Sequence, residues 1–250
     1  MEITKAYYCP KCEQWSKEQI CQNCKNKAEE KDLPLRRDEF YFINGISIPL
    51  PAVNSIINLI SKPWLIKWAA KEGARAVIKN PFISIDDAVR SVDNIKIEAA
   101  RKGSLVHKVI ENPEEYKNLT AEEKKLINPF IKAYNKFLAD NVVETLFKER
   151  TIYSQKYKYA GTLDRVIKMN NNTTALIDFK TSHLMNEVSL SLQLSAYKQA
   201  LKELEPQLVI DRMLGVHLKE NETYSLVEVE DSFKIFKALL VTYRWLYKFE

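Results

Sequence analysis

Leu176-Ile177-Asp178-Phe179-Lys180-Thr181 follows an asparagine-rich turn and reads as a strand that ends in charge. Side chains alternate across a strand, so Asp178 and Lys180 share one face while Ile177 and Phe179 share the other. The apolar pair can enter a core. The charged pair sits among strongly apolar neighbours, where charge is costly unless it has a task.

Working outward, Gly161-Thr162-Leu163-Asp164-Arg165-Val166-Ile167 reads as a second strand. The connection Met169-Asn170-Asn171-Asn172-Thr173 is turn chemistry, because asparagine tolerates left-handed backbone angles. A hairpin symmetric about Asn171 sets Asp164 opposite Asp178, with Cβ atoms ~4.5–5.5 Å apart on one face. Two opposed carboxylates with a lysine two residues along repel one another as packing. As a cage for a hard divalent cation, which takes oxygen ligands, they make chemical sense. In a regular strand Arg165 faces away from this pair.

Three segments in order, Gly161-Thr162-Leu163-Asp164, Ile177-Asp178-Phe179-Lys180-Thr181-Ser182 and Gln193-Leu194-Ser195-Ala196-Tyr197, resemble the PD-(D/E)xK nuclease superfamily. The branch they resemble is the RecB type, which includes CRISPR adaptation exonucleases, the mitochondrial genome maintenance exonuclease and many phage exonucleases. The resemblance spans roughly residues 40 to 230, and the order of the motifs carries it more than any single one. It implies an α/β (α+β) restriction-endonuclease-like core, a central mixed sheet flanked by helices. It also implies that Asp164 and Asp178 bind Mg²⁺ or Mn²⁺, with the backbone carbonyl of Phe179 completing the site.

A lone histidine on an apolar helix reads, by itself, as a packed residue. In Gly103-Ser104-Leu105-Val106-His107, however, the Gly-x-x-x-His setting resembles the metal-binding histidine of the same branch, which implies His107 as a further ligand. Glu111, one turn on, either orients His107 or is solvated. Lys180 is implied to position or deprotonate the attacking water and to stabilise developing charge. A lysine beside two carboxylates keeps its ammonium, which favours the electrostatic role unless a metal counters it. Gln193 and Tyr197, four apart on one helix face, are implied to support the site and place the scissile phosphate. Each expected position holds the expected residue type, as in an active enzyme. The function implied is a metal-dependent DNA exonuclease acting on single strands or DNA ends in replication, recombination or repair. The alternatives are a structure-specific endonuclease on the same fold and a non-catalytic nucleic-acid-binding subunit.

All four cysteines fall in the first 24 residues, as Cys9-x-x-Cys12 and Cys21-x-x-Cys24. Two CxxC pairs in a reducing compartment read as a tetrahedral, structural Zn²⁺ site. An iron–sulfur cluster is the alternative, although nucleases of this branch that carry one place most of its cysteines after the core. Tyr7, Tyr8, Trp15 and nearby lysines would let such a ribbon grip nucleic acid by stacking and charge. The expected organisation is a four-cysteine zinc module at 1–30, a charged linker at 31–39 and a nuclease domain at 40–250 with a helical region at about 53–140.

The chain has 250 residues, 46% hydrophobic and 28% charged, with net charge +5 and pI near 8.8, which suits a globular protein with a polyanionic partner. With only 5 glycines and no GxGxxG or Walker sequence, nothing reads as a glycine-rich phosphate loop, and no HExxH pairing marks a metalloprotease. No apolar run approaches the ~20 residues that span a bilayer. The N-terminal residues lack a signal-peptide core, so the expected setting is intracellular and cytoplasmic, in a bacterial, archaeal or virus-infected cell.

The remaining pattern is scaffold. Phe40 to Ile48 reads as a hairpin through Asn44-Gly45, ended by Pro49 and Pro51. Helices are expected at Val53–Ile60, Trp64–Ala70, from Ser84 to about Ile110, and, behind the capping box Thr120-Ala121-Glu122-Glu123, to Asp140. Trp64 and Trp68 read as core anchors. Leu126, Phe130, Ile131, Tyr134, Phe137 and Leu138 trace the buried face of the capped helix. Strands are expected at Val142–Tyr153, Lys158–Met169, Thr174–Lys180, Leu208–Leu218 and Tyr224–Val229, and helices at Glu187–Glu205 and Phe233–Phe249. The Tyr153–Tyr159 stretch, mixing tyrosine and lysine, reads as a sheet edge that flanks a DNA path.

Overall fold

A computed structural model describes residues 4–9, 11, 14–16, 24, 25, 27, 29–33, 40, 41, 50–182 and 185–247. Three short strands, β1 (Thr4–Cys9), β2 (Gln14–Ser16) and β3 (Glu29–Leu33), form an antiparallel sheet in the order β2-β1-β3. Strand β3 pairs with β1 from Thr4–Leu33 to Tyr8–Glu29, so ordered pairing runs into the stretch read as linker. Cys12 and Cys21 lie outside the described residues, and with them the expected zinc site. Next come β4 (Phe40–Tyr41) and β5 (Leu50–Pro51), paired Phe40 to Pro51 and Tyr41 to Leu50. Pro51 therefore sits inside this pairing instead of ending it, as an edge strand permits. The Asn44-Gly45 turn lies outside the described residues.

The helices α1 (Val53–Ile57), α2 (Pro63–Lys79), α3 (Ile85–Glu111) and α4 (Ala121–Asn141) lead into β6 (Val142–Ser154), β7 (Tyr159–Met169) and β8 (Thr174–Lys180). Helix α5 (Glu187–Leu204) crosses over to β9 (Arg212–Leu218), and β10 (Tyr224–Glu228) and α6 (Phe233–Tyr247) close the chain. The sheet order is β10-β9-β8-β7-β6, with β8 and β9 parallel and the other neighbours antiparallel. Strand β8 is central, and its residues from Thr174 to Phe179 are all buried, as the near-continuous apolar run requires.

Two cores result. On one face α1, α5 and α6 pack over Leu163, Val166, Leu176 and Met213. On the other, α3 and α4 pack over Ile167, Ala175, Ile177, Phe179, Leu214 and Val216. The alternation expected for β8 is thus observed: Ile177 and Phe179 enter the α3–α4 side, and Asp178 and Lys180 are left on the α5 side.

Local signals read correctly where they are chemical. Thr120 and Glu123 form the reciprocal capping box, and Ser84 accepts from the Asp87 backbone N–H at 3.1 Å. Helix α3 runs unbroken for 27 residues. Three expectations fail where packing decides. No residue of α2 is buried, and Trp64 is 49% exposed, because α2 packs on α3 instead of on the sheet. The Trp64 and Trp68 pair is therefore not a core anchor. The buried face of α4 is Ile127, Phe130, Ala133, Tyr134 and Phe137, with Leu126 turned to solvent. Last, 155–158 is a turn between β6 and β7, not an edge strand. Tyr159 is fully buried there, and its hydroxyl donates to the Ala196 carbonyl at 2.8 Å.

Candidate active site

The β7–β8 hairpin has the symmetric register that its sequence suggests: Lys168 pairs with Thr174, Ile167 with Ala175, Val166 with Leu176 and Arg165 with Ile177. Asn171 Oδ1 accepts from the Thr173 N–H at 3.1 Å, and Asn172 takes the left-handed φ of 64°. One step further along, at Asp164 and Asp178, the ladder stops. On its other side β8 stays paired with the parallel strand β9 from Ala175 to Lys180, Asp178 with Gly215 and Lys180 with His217. The Asp164 carboxylate spans the split and accepts the Phe179 backbone N–H at 2.7 Å. The sheet thus opens at the two aspartates, and the freed backbone donor is satisfied by one of them. Burial, and then the charge of Asp178, hold the Asp164 carboxyl well above the usual carboxylate range.

Lys180 Nζ lies 2.7 Å from Asp178 Oδ2 and donates to Gln193 Oε1 at 3.4 Å. Burial lowers its pKa, but the charges of Asp178 and Asp164 more than offset this, so the ammonium form is favoured. Gln193 Nε2 in turn donates to the Tyr197 hydroxyl at 3.3 Å. Both α5 residues are buried, Tyr197 to 2% exposure, so the four-residue spacing that read equally well as surface faces the site. Gly161 makes room for that ring: a Cβ there would lie 2.5 Å from Tyr197 Cε1. Gly161→Ala is therefore expected to cost about 1–3 kcal/mol by overpacking and to disturb the Tyr197–Gln193–Lys180 chain. Denaturant melts beside cleavage rates check this, and a variant as stable and as active as the parent would refute it.

From the other face of the sheet, the last turns of α3 reach the tip of β8. Gly103 lies against Thr181, where a Cβ would stand at ordinary contact distance, 3.4 Å from Oγ1. His107 Nε2 is 3.1 Å from the Phe179 carbonyl oxygen, and Nδ1 is 3.8 Å from Asp164 Oδ2. Burial lowers the His107 pKa, and Lys180 adds to the effect, which keeps the ring neutral near pH 7. The neutral ring donates through Nε2 and leaves Nδ1 with a lone pair.

Two residues gathered here were not singled out by sequence. Arg165 does face away from the carboxylates, as alternation requires, but it is buried under the Tyr134 and Phe179 rings. It donates to the Tyr134 hydroxyl and, at 3.4 Å, to the Ile110 carbonyl, which tethers α3 and α4 behind the site. Glu149, within β6, is the second. The pairs Lys148–Arg165 and Arg150–Leu163 flank it, so it lies across from Asp164. Burial, and then the charge of Glu111, push its carboxyl up to about 7. In sequence it sits within Phe147-Lys148-Glu149-Arg150, an ordinary alternation with no mark of chemistry.

The donor set fits a divalent cation. Asp164 and Asp178 lie together under burial, the charge of Asp178 disfavouring that of Asp164, and the Phe179 carbonyl and the neutral His107 ring adjoin them. Such an assembly of carboxylate and carbonyl oxygens suits a hard ion, and the imidazole admits Mn²⁺ as well as Mg²⁺.

The sequence profile of the PD-(D/E)XK nuclease superfamily matches residues 84–239, from the N-cap of α3 into α6. Among solved structures, the crystal structure of SSO0001 is 18% identical to this chain, covering 57% of it and 73% of that chain, with a TM-score of 0.33. No curated protein matches the chain.

Proposed function

Because the chain belongs to the PD-(D/E)XK nuclease superfamily, we propose that it is a divalent-metal-dependent DNA exonuclease, acting on single strands or free DNA ends in replication, recombination or repair. The observation that carries this reading is the opening of the sheet at Asp164 and Asp178, with Lys180 2.7 Å from Asp178. The proposed metal-holding groups are Asp164, Asp178, His107 and the carbonyl of Phe179. When bound, Mg²⁺ or Mn²⁺ would relieve negative charge at phosphorus and acidify water.

The chain's own groups do the rest. Lys180, kept as an ammonium by Asp178 and Asp164, donates to a phosphate oxygen as charge develops there. Its raised pKa supports this electrostatic role over that of a general base. Gln193 holds Lys180 through its side-chain oxygen, and Tyr197 holds Gln193. Tyr197, being buried, is read as a support for Lys180, and Gln193 is the member of the pair nearer a phosphate. Asp164 fixes the tip of β8 through the Phe179 N–H, and His107 fixes the facing carbonyl. The reading extends to a structural Zn²⁺ on Cys9, Cys12, Cys21 and Cys24, on their spacing alone. No helix among the described residues is long and apolar enough to cross a membrane.

The test uses a single-stranded DNA labelled at either end, beside the same strand closed into a circle, with Mg²⁺ or Mn²⁺. Loss of the linear strand alone, abolished by EDTA, is the expected result, and the label reports its direction. Cutting of the circle would replace the exonuclease with an endonuclease on the same fold. Binding without cleavage under either metal would leave a nucleic-acid-binding subunit.

A further inference from the structure

Glu149 occupies a backbone conformation that its residue type disfavours. Its φ is 43°, in the left-handed region, within the interior of β6. The other described non-glycine residues with positive φ, Lys25, Lys158, Asn172 and Glu222, all lie outside helices and strands. A glutamate in mid-strand has no local turn to justify this angle, so something else must hold it there.

What the angle achieves is visible around the side chain. Glu149 stands across from Asp164, and the two carboxylates and the His107 ring each bring a ligand atom within 4.8 Å of the other two. Among the described residues no donor hydrogen-bonds or ion-pairs with the Glu149 carboxylate. It is half-buried, with the like charges of Glu111, Asp164 and Asp178 around it and the cations Arg165 and Lys148 partly offsetting them.

We propose that Glu149 is a ligand of the divalent cation, on the side formed by His107 and Asp164, so that the metal centre includes β6 as well as the middle of β7 and the end of β8. The proposal rests on the metal-dependent reading above and adds to it a residue outside the three recognised motifs. Two carboxylates with one imidazole form a mixed oxygen and nitrogen set, which favours Mn²⁺ over Mg²⁺. A merely structural Glu149 would gain nothing from its angle, because glycine takes a left-handed φ without steric cost.

The experiment is Mn²⁺ titration by calorimetry on the whole chain and its variants Glu149→Gln, Glu149→Gly and Asp164→Asn, with thermal melts in EDTA. Glu149→Gln keeps the size of the side chain and removes the charge. It is expected to weaken Mn²⁺ binding by about tenfold or more. Glu149→Gly is expected to melt at or above the parent temperature in EDTA while binding Mn²⁺ equally weakly, which separates ligation from folding. If Asp164→Asn loses Mn²⁺ binding while both Glu149 variants bind it as tightly as the parent, this proposal alone is overturned. A parent chain that binds no Mn²⁺ would overturn the metal-dependent reading and this proposal with it.

Discussion

Lys180→Ala is expected to slow cleavage of labelled single-stranded DNA by about a thousandfold, the scale seen when one preorganised donor to a developing oxyanion is removed. The ammonium is held on two sides, by Asp178 at 2.7 Å and Gln193 at 3.4 Å, so no reorientation is needed as charge builds on phosphate. DNA affinity in EDTA should change little, since a single lysine contributes one contact to a polyanion. A second consequence concerns stability. The substitution leaves Asp178, whose side chain is 3% exposed, without its cation, and removing one partner of a buried pair is strongly destabilising. The melting temperature should therefore fall in EDTA and recover in part with Mn²⁺, which restores positive charge at the same place. Cleavage by the variant within tenfold of the parent would remove Lys180 from the chemistry.

Asp164→Asn should act in opposite directions on activity and on metal-free stability. In EDTA the parent carries a buried carboxyl disfavoured by burial and by the facing charge of Asp178. Asparagine removes that charge, while its amide oxygen can still accept the Phe179 N–H that Asp164 binds at 2.7 Å. The variant is expected to gain about 2 kcal/mol in EDTA, relief of a poorly compensated buried charge. That corresponds to roughly 4–8 °C in melting temperature for a chain of this size. Cleavage should be lost, and Mn²⁺ should raise the melting temperature of the parent but not of the variant. A variant less stable than its parent in EDTA would show that the aspartate is held for structure.

The division between what the residues disclose in line and what they disclose only when folded can be traced through the site. Asp164, Asp178 and Lys180 were legible because a strand has period two and a symmetric Asn171 turn has only one register, so two local rules set the carboxylates across from one another. Gln193 and Tyr197 were legible as a pair but not as buried, because helical spacing gives a face without saying what covers it. Here Gly161 decides, by leaving space for the Tyr197 ring. Trp64 and Trp68 failed for the converse reason: an apolar stripe on α2 meets α3 and not the sheet, so strong hydrophobicity did not become burial. The chain's local chemistry, its turns, caps and strand alternation, determined by itself the β7–β8 hairpin, the helix N-termini and three of the charged groups at the sheet's opening. Only the tertiary structure decided that the ladder ends at Asp164, that α3 brings His107 to the Phe179 carbonyl, and that Glu149 turns inward from β6. Those depend on contacts between segments distant in sequence and on one backbone angle, and neither periodicity nor composition encodes such contacts.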